Sequence, residues 1–217
     1  MQSDYPAPNR IPGARPSLEV GLLSVLAGTV VGAAIGVVSG YFQGIVDLLV
    51  QRVMDALLSI PLLVLAIAIA AVLGIGLRNV ILAIAVIITP GTARVVRSAT
   101  LVVREQQYIE AARALGGRHL QIMWRHILPN VAAPIIVLAT IQIAIAILAE
   151  AALSFFGLGT QAPNPPWGAD LAAARTFVVI AIWLSIFPGI AISLIVLAFN
   201  LLGDALRDLL DPRLRGA

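Results

Sequence analysis

Apolar residues fall into five uncharged runs, 20–46, 56–77, 79–93, 126–149 and 176–203. A helix rises 1.5 Å per residue and needs roughly 20 apolar residues to cross the hydrocarbon core of a bilayer. Four runs meet that length unaided. The short run 79–93 reaches it if Arg94 and Arg97 snorkel to the interface while the helix continues to about Val103. The runs are continuous in Leu, Ile, Val and Ala, without the alternation of barrel strands. The pattern therefore predicts an all-α polytopic membrane protein with about five spans. Pro61, Pro90, Pro134 and Pro188 lie inside or at the ends of these spans, where neighbouring helices can satisfy freed carbonyls and the expected effect is a packing kink.

Two polar intervals interrupt the runs. Gly40 to Gly44, "GYFQG", reads as a break after the first span. Asp47, Gln51 and Asp55 then share one helix face at i, i+4 and i+8, with Arg52 beside them. This helix is expected to begin in the interface and enter the membrane near Ala56. The longer interval, Gln106 to Asn130, carries Glu110, Arg113, Arg118 and Arg125 with His119 and His126. It reads as an exposed hairpin. A first helical piece covers Gln106 to Leu115, Gly116 and Gly117 break it, and a second piece, Arg118 to Ile127, is stopped by Pro129. Alanines smooth the first piece, and Leu120, Ile122, Met123, Trp124 and Ile127 form an apolar stripe on the second.

Composition agrees with a lipid environment: 60% of residues are hydrophobic, 12% are charged, and the mean hydropathy is +1.00. Without cysteine, disulfides, thiolate metal sites and cysteine nucleophiles are excluded. The two histidines read as hairpin surface, so no metal site is expected. All fourteen basic residues are arginine. A phosphate-binding P-loop needs its lysine, so any ATP used must be bound by another chain, and no cofactor or catalytic residue is expected here. The net charge of +3 is diluted over loops and forms no nucleic-acid stripe.

Arginine placement orients the chain, because short cytoplasmic loops are enriched in basic residues. Arg94, Arg97, Arg104, Arg113, Arg118 and Arg125 surround the hairpin, Arg52 follows the first span, and Arg207, Arg213 and Arg215 follow the last. With alternating spans all of them share one side, which places the C-terminus in the cytoplasm.

The spacing of Glu110, Ala111 and Ala112, then Gly116, then Leu128 and Pro129, in an arginine-rich loop between two spans, resembles the EAA loop of ABC importer permeases. The family pattern has isoleucine two positions before the leucine, where this chain has His126. Further stretches resemble the second permease of dipeptide and oligopeptide importers: "GARPSLEVGLLSV" from Gly13, "ILAEAALSFFGLGTQAPNPPWGADL" from Ile147, and "FPGIAISLIVLAFNLLGDALRDLLDPR" from Phe187. Together they cover about Gly13 to Arg213.

The resemblance implies a type I ABC importer transmembrane domain at 17–204, with its coupling loop at 104–130 and an outer loop at 154–175. An extracytoplasmic N-terminal remnant, 1–16, and a cytoplasmic tail, 205–217, flank it. Family members usually carry one more N-terminal span, which would account for the odd span number. The implied partners are a second permease chain, two ATP-binding cassette ATPases and an extracytoplasmic substrate-binding protein, in the cytoplasmic membrane. Glu110, Ala111, Ala112, Gly116, Gly117, Leu128 and Pro129 are the implied ATPase-coupling residues. Glu150 and Trp167 are candidates for the pathway or outer gate, although a helix-end role for Glu150 is also open. Small peptides are the implied cargo, with nickel and glutathione as alternatives. A secondary transporter driven by an ion gradient is the competing class, but it calls for inverted repeats and ionisable residues at the bilayer midplane, and neither is evident.

Overall fold

The computed structural model describes residues 14–159 and 165–210. The expected remnant 1–16 therefore lies almost wholly outside the described residues, as do 160–164 of the outer loop and 211–217 of the tail. Nine α-helices are described: α1 (Ala14–Phe42), α2 (Gly44–Leu58), α3 (Leu62–Leu73), α4 (Leu77–Arg104), α5 (Gln107–Ala114), α6 (His119–Ile122), α7 (Ala132–Phe155), α8 (Trp167–Ala174) and α9 (Trp183–Leu210). Among the described residues there is no strand. Four helical stretches among the described residues are long and apolar enough to span a bilayer, namely α1, α4, the stretch His119–Phe155 and α9; α2 with α3 makes a fifth if the bent pair is one span.

The architecture is centred on α1 and α4, and the reason is a row of glycines one turn apart. A Cβ on Gly28 would meet the Ala85 carbonyl oxygen at 2.7 Å, on Gly32 that of Thr89 at 2.7 Å, on Gly36 that of Ala93 at 2.6 Å, and on Gly40 that of Arg97 at 2.9 Å. These are backbone-to-backbone contacts. Two lipid-facing helices gain nothing from hydrophobicity that lipid does not already supply, so close packing of small residues holds them together. Helix α7 packs on the same pair, where Gly21 faces the Ile147 side chain. A buried polar contact pins α7 to α4: the Gln142 Nε2 donates to Thr92 Oγ1 at 3.1 Å. Helix α9 packs on α7, with Gly203 against Ile141 and Thr140, and α8 lies against both.

Three boundaries differ from those the apolar runs predict. The second apolar run is not one straight span. Helix α2 ends at Leu58, and the axis turns by 93° before α3. Pro61, at φ −53° and ψ 131°, cannot donate a helical N–H and biases the residue before it away from helix. The reorientation therefore falls at Ser59–Pro61. Secondly, Pro129 does not stop the hairpin's second piece. A π turn at Met123–Ile127 and a 3-10 turn at Leu128–Val131 carry the helix into α7. The Leu128 N–H reaches back to the Met123 carbonyl, and Asn130 Nδ2 donates to the His126 carbonyl at 2.6 Å. The wide turn removes the clash that a proline makes with the carbonyl four residues earlier. Thirdly, the last long helix begins at Trp183 and not near Thr176. A 3-10 turn at Arg175–Phe177 precedes it.

The third run behaves as anticipated. Helix α4 continues past Arg94 and Arg97 as far as Arg104. Those arginines do not simply reach for the interface, however. Each is paired with an aspartate of α2.

Candidate functional site

The polar interval 106–130 is exposed at one end of the bundle. Helix α5 begins after Gln106, whose carbonyl receives the Ile109 N–H at 2.9 Å. Ile109 is fully buried, in a small core with Ala33, Val37, Tyr41, Val96, Ile122, Met123, Ile127 and Val131. That anchor makes α5 one-sided. Ala112 turns inward and packs against the same core, whereas Tyr108, Glu110, Ala111 and Ala114 face outward, and Leu115 is 88% exposed.

The end of α5 is a Schellman turn. The Gly117 N–H donates to the Ala112 carbonyl at 3.0 Å and the Gly116 N–H to that of Arg113 at 2.9 Å. The two glycines answer different demands. Gly116 sits at φ +79°, in the left-handed region, with open space around it. At Gly117 a Cβ would meet the Ala112 carbonyl oxygen at 2.7 Å. Leu128 is partly buried under the hairpin and Pro129 is exposed in the 3-10 turn leading to α7. The named hairpin residues thus divide into an outward face (Glu110, Ala111), an inward contact (Ala112), the turn (Gly116, Gly117) and the junction with α7 (Leu128, Pro129).

The bundle grips this hairpin through contacts that the sequence pattern does not announce. Tyr41, buried near the end of α1, has its hydroxyl 2.9 Å from His119 Nδ1. The Arg113 guanidinium lies over the Tyr41 ring, 5.1 Å from its centre. His119 lies on the hairpin surface, as its position in the sequence suggests, but it is bonded as well as exposed. On α2, Asp47 is held by Arg97 through two charge-assisted hydrogen bonds, Nε to Oδ1 and Nη2 to Oδ2. Ser39 Oγ donates to Asp47 Oδ1 at 2.7 Å, and Gln51 Nε2 donates to Ser39 Oγ at 3.2 Å. Asp55 pairs with Arg94 of α4. The i, i+4, i+8 spacing is legible as a polar face; its partners on α1 and α4 are not.

At the opposite end of the bundle, Glu150 is fully buried. Ser17 Oγ of α1 donates to its Oε2 at 2.9 Å and Ser154 Oγ to its Oε1 at 2.6 Å. Trp167 is also buried, in the larger core shared by α1, α4, α7 and α9. Glu150 exposes no surface in this conformation, and Trp167 exposes 7%. Gly168 allows the close seating of α8, since a Cβ there would meet the Ala151 carbonyl oxygen at 2.2 Å. Burial also holds the Asp170 carboxyl of α8 above its usual range. Among the described residues no cluster of His, Asp and Glu is arranged to hold a metal ion.

A consequence for Glu150 is measurable. Glu150→Gln keeps a hydrogen-bonding group between the two serines and should change thermal stability little. Glu150→Leu leaves both hydroxyls buried and unpaired, at a cost of about 1–3 kcal/mol each at most. Thermal unfolding of the detergent-purified protein, following the difference between these variants, checks the assignment; equal midpoints would count against it.

Long apolar helices packed through glycine, with one short polar helix at the end of the bundle, define a multi-pass helical membrane protein. The profile of the family described as "binding-protein-dependent transport system inner membrane component" matches residues 32–216. The chain belongs to that family. It is 47% identical over 203 residues to the glutathione transport system permease protein GsiD of Pectobacterium atrosepticum, covering 94% of this chain and 67% of the relative. It is 46% identical to the dipeptide transport system permease protein DppC of Alkalihalophilus pseudofirmus, with the same coverage of each. The chain thus spans about two-thirds of the length of these relatives. A solved structure, an inward-facing conformation of the MetNI methionine ABC transporter, shares the fold with a TM-score of 0.73 at 21% identity, over 92% of this chain and 94% of the other.

Proposed function

We propose that this permease is one of two in an ATP-driven ABC importer of small peptides in the cytoplasmic membrane. Two separate ATPase chains would power it and an extracytoplasmic binding protein would deliver its cargo. The observation that carries this reading is α5: a rigid, alanine-rich helix with a buried anchor at Ile109 and an open outer face, closed by Gly116 and Gly117. Such a helix can enter a groove on another protein without losing its hold on the bundle. Membership of a family named for binding-protein-dependent transport supports the same reading. The absence of lysine supports ATP hydrolysis by other chains. In this reading α5 faces the cytoplasm, as does the C-terminus, in keeping with the arginines gathered at the hairpin. In the same reading Glu110, exposed on the first turn of α5, would pair with an arginine of the ATPase. Glu150 and Trp167 then lie at the outer end, where a rearrangement would be needed to expose them to cargo.

A second cargo is favoured by the likeness to a glutathione permease. Uptake of a labelled dipeptide, labelled glutathione and nickel ion by proteoliposomes holding the complete transporter separates these readings. Uptake that survives ATP depletion and collapses with the ion gradient would overturn the ATP-driven reading altogether.

The coupling role has its own test. Gly116→Val forces a β-branched residue to φ +79°, a strain of about 1–3 kcal/mol. Relief of that strain must tilt or unwind the end of α5. The expected result is ATP hydrolysis without matching uptake, with uptake reduced at least about tenfold and membrane insertion retained. Wild-type uptake by this variant would sink the assignment.

A further inference from the structure

Resting on the assignment of α5 as the coupling helix, we infer that Tyr41 is a positioning residue that ties the tilt of α1 to the orientation of the hairpin. Helix α1 is locked to α4 by the row from Gly28 to Gly40, each glycine against an α4 carbonyl. The two helices therefore move as one body. Tyr41 follows the last glycine of that row, and its ring is buried. From this one side chain, contacts reach both limbs of the hairpin. The Arg113 guanidinium of α5 lies over the ring at 5.1 Å, and His119 at the start of α6 bonds the hydroxyl at 2.9 Å. The Phe42 and His119 rings lie 5.7 Å apart and close the contact.

The geometry of these contacts is directional. A hydroxyl-to-imidazole bond and a cation over a ring depend on angle as well as distance, unlike the aliphatic packing of Ile109. Helix α5 is joined to α4 by only Glu105 and Gln106, a link that permits rotation. Tyr41 removes that freedom by holding the hairpin on both sides of its glycine turn. A rotation of the α1–α4 body is then carried to α5 without slack.

The test uses the assembled transporter in proteoliposomes. Tyr41→Phe keeps the ring, the packing and the Arg113 contact while deleting the hydroxyl bond. His119→Ala deletes the same bond from an exposed position, together with the ring contacts to Tyr41 and Phe42, and failure to fold does not confuse the outcome. Loss of one hydrogen bond of about 1 kcal/mol corresponds to about fivefold. Backbone amide hydrogen exchange over 107–114 should rise about fivefold in Tyr41→Phe and at least as much in His119→Ala, and the double variant should match His119→Ala. Uptake of labelled dipeptide or glutathione per ATP hydrolysed should fall in step, with the ATPase chains still co-purifying.

Unchanged exchange at 107–114, additive effects in the double variant, or uptake and ATP hydrolysis falling in parallel would each overturn the role of Tyr41. Leu115→Arg, on the open face of α5, isolates the underlying assignment. If that variant keeps both its ATPases and its uptake, α5 is not the docking helix, and the inference falls with it. If it loses the ATPases while the Tyr41 variants behave as wild type, only the role of Tyr41 fails.

Discussion

Replacing Gly36 by leucine should abolish the folded protein. At this position a Cβ alone would meet the Ala93 carbonyl oxygen at 2.6 Å, the Arg97 nitrogen at 2.9 Å and the Val96 Cβ at 2.9 Å. Two of these are backbone atoms, which cannot swing aside as the tip of a side chain can. Helices α1 and α4 must separate, and their separation opens the contacts at Gly32 and Gly40 as well. Overpacking costs about 1–3 kcal/mol where neighbours can adapt, and a rigid neighbour takes the cost to the upper end or beyond. Gly189→Ala is the control, because nothing lies within 4 Å of a Cβ built there. Size-exclusion chromatography of detergent-solubilised protein should show Gly36→Leu aggregated and Gly189→Ala monodisperse. A monodisperse Gly36→Leu variant with unaltered melting would refute the backbone contact.

The second large effect is expected at Asp47. Its side chain is 13% exposed and that of Arg97 28%, so the pair is neither a surface ion pair nor a fully enclosed one. Asp47→Leu strands the Arg97 charge, together with the Ser39 hydroxyl that donates to Asp47. Breaking one side of a buried pair costs about 3–5 kcal/mol. Partial exposure reduces this to about 1–3 kcal/mol, because water can reach the abandoned guanidinium. Asp47→Leu with Arg97→Leu removes both charges and should recover most of the loss. Melting temperatures of Asp47→Leu, Arg97→Leu and the double variant, against the wild type, form a double-mutant cycle. An additive result would show that the two side chains act independently and that the bidentate contact contributes nothing.

Much of the candidate site is legible in the residues themselves. Gly116 and Gly117 break the hairpin where their spacing predicts, and a Schellman turn needs a left-handed residue at that point. The fate of Pro129 is not legible. A proline predicts the end of a helix unless the preceding turn widens, and the π turn at Met123–Ile127 depends on how Ile122, Met123 and Ile127 seat in the small core around Ile109. The apolar stripe of the second hairpin piece is likewise only half informative. Ile122, Met123 and Ile127 turn inward, while Leu120 and Trp124 stay exposed. The spacing from Gly28 to Gly40 is visible in the sequence as glycine at every fourth position, a pattern that lets helices approach in lipid. It is the local signal for the α1–α4 contact, and a reading of apolar run lengths passes over it.

By itself, the sequence determined that the chain is helical, that it is built for a bilayer, and that a polar hairpin interrupts it. Those properties follow from local periodicity and from the cost of leaving backbone groups unpaired in lipid, which act on each segment alone. Tertiary structure alone decided which surfaces meet. Asp47 found Arg97, Glu150 found Ser17, and Tyr41 found both His119 and Arg113, over separations in the chain that no periodicity spans. The physical reason is that a polar group in a membrane protein must find its partner wherever packing brings one. That packing is set here by the close approach of two helices along a row of glycines.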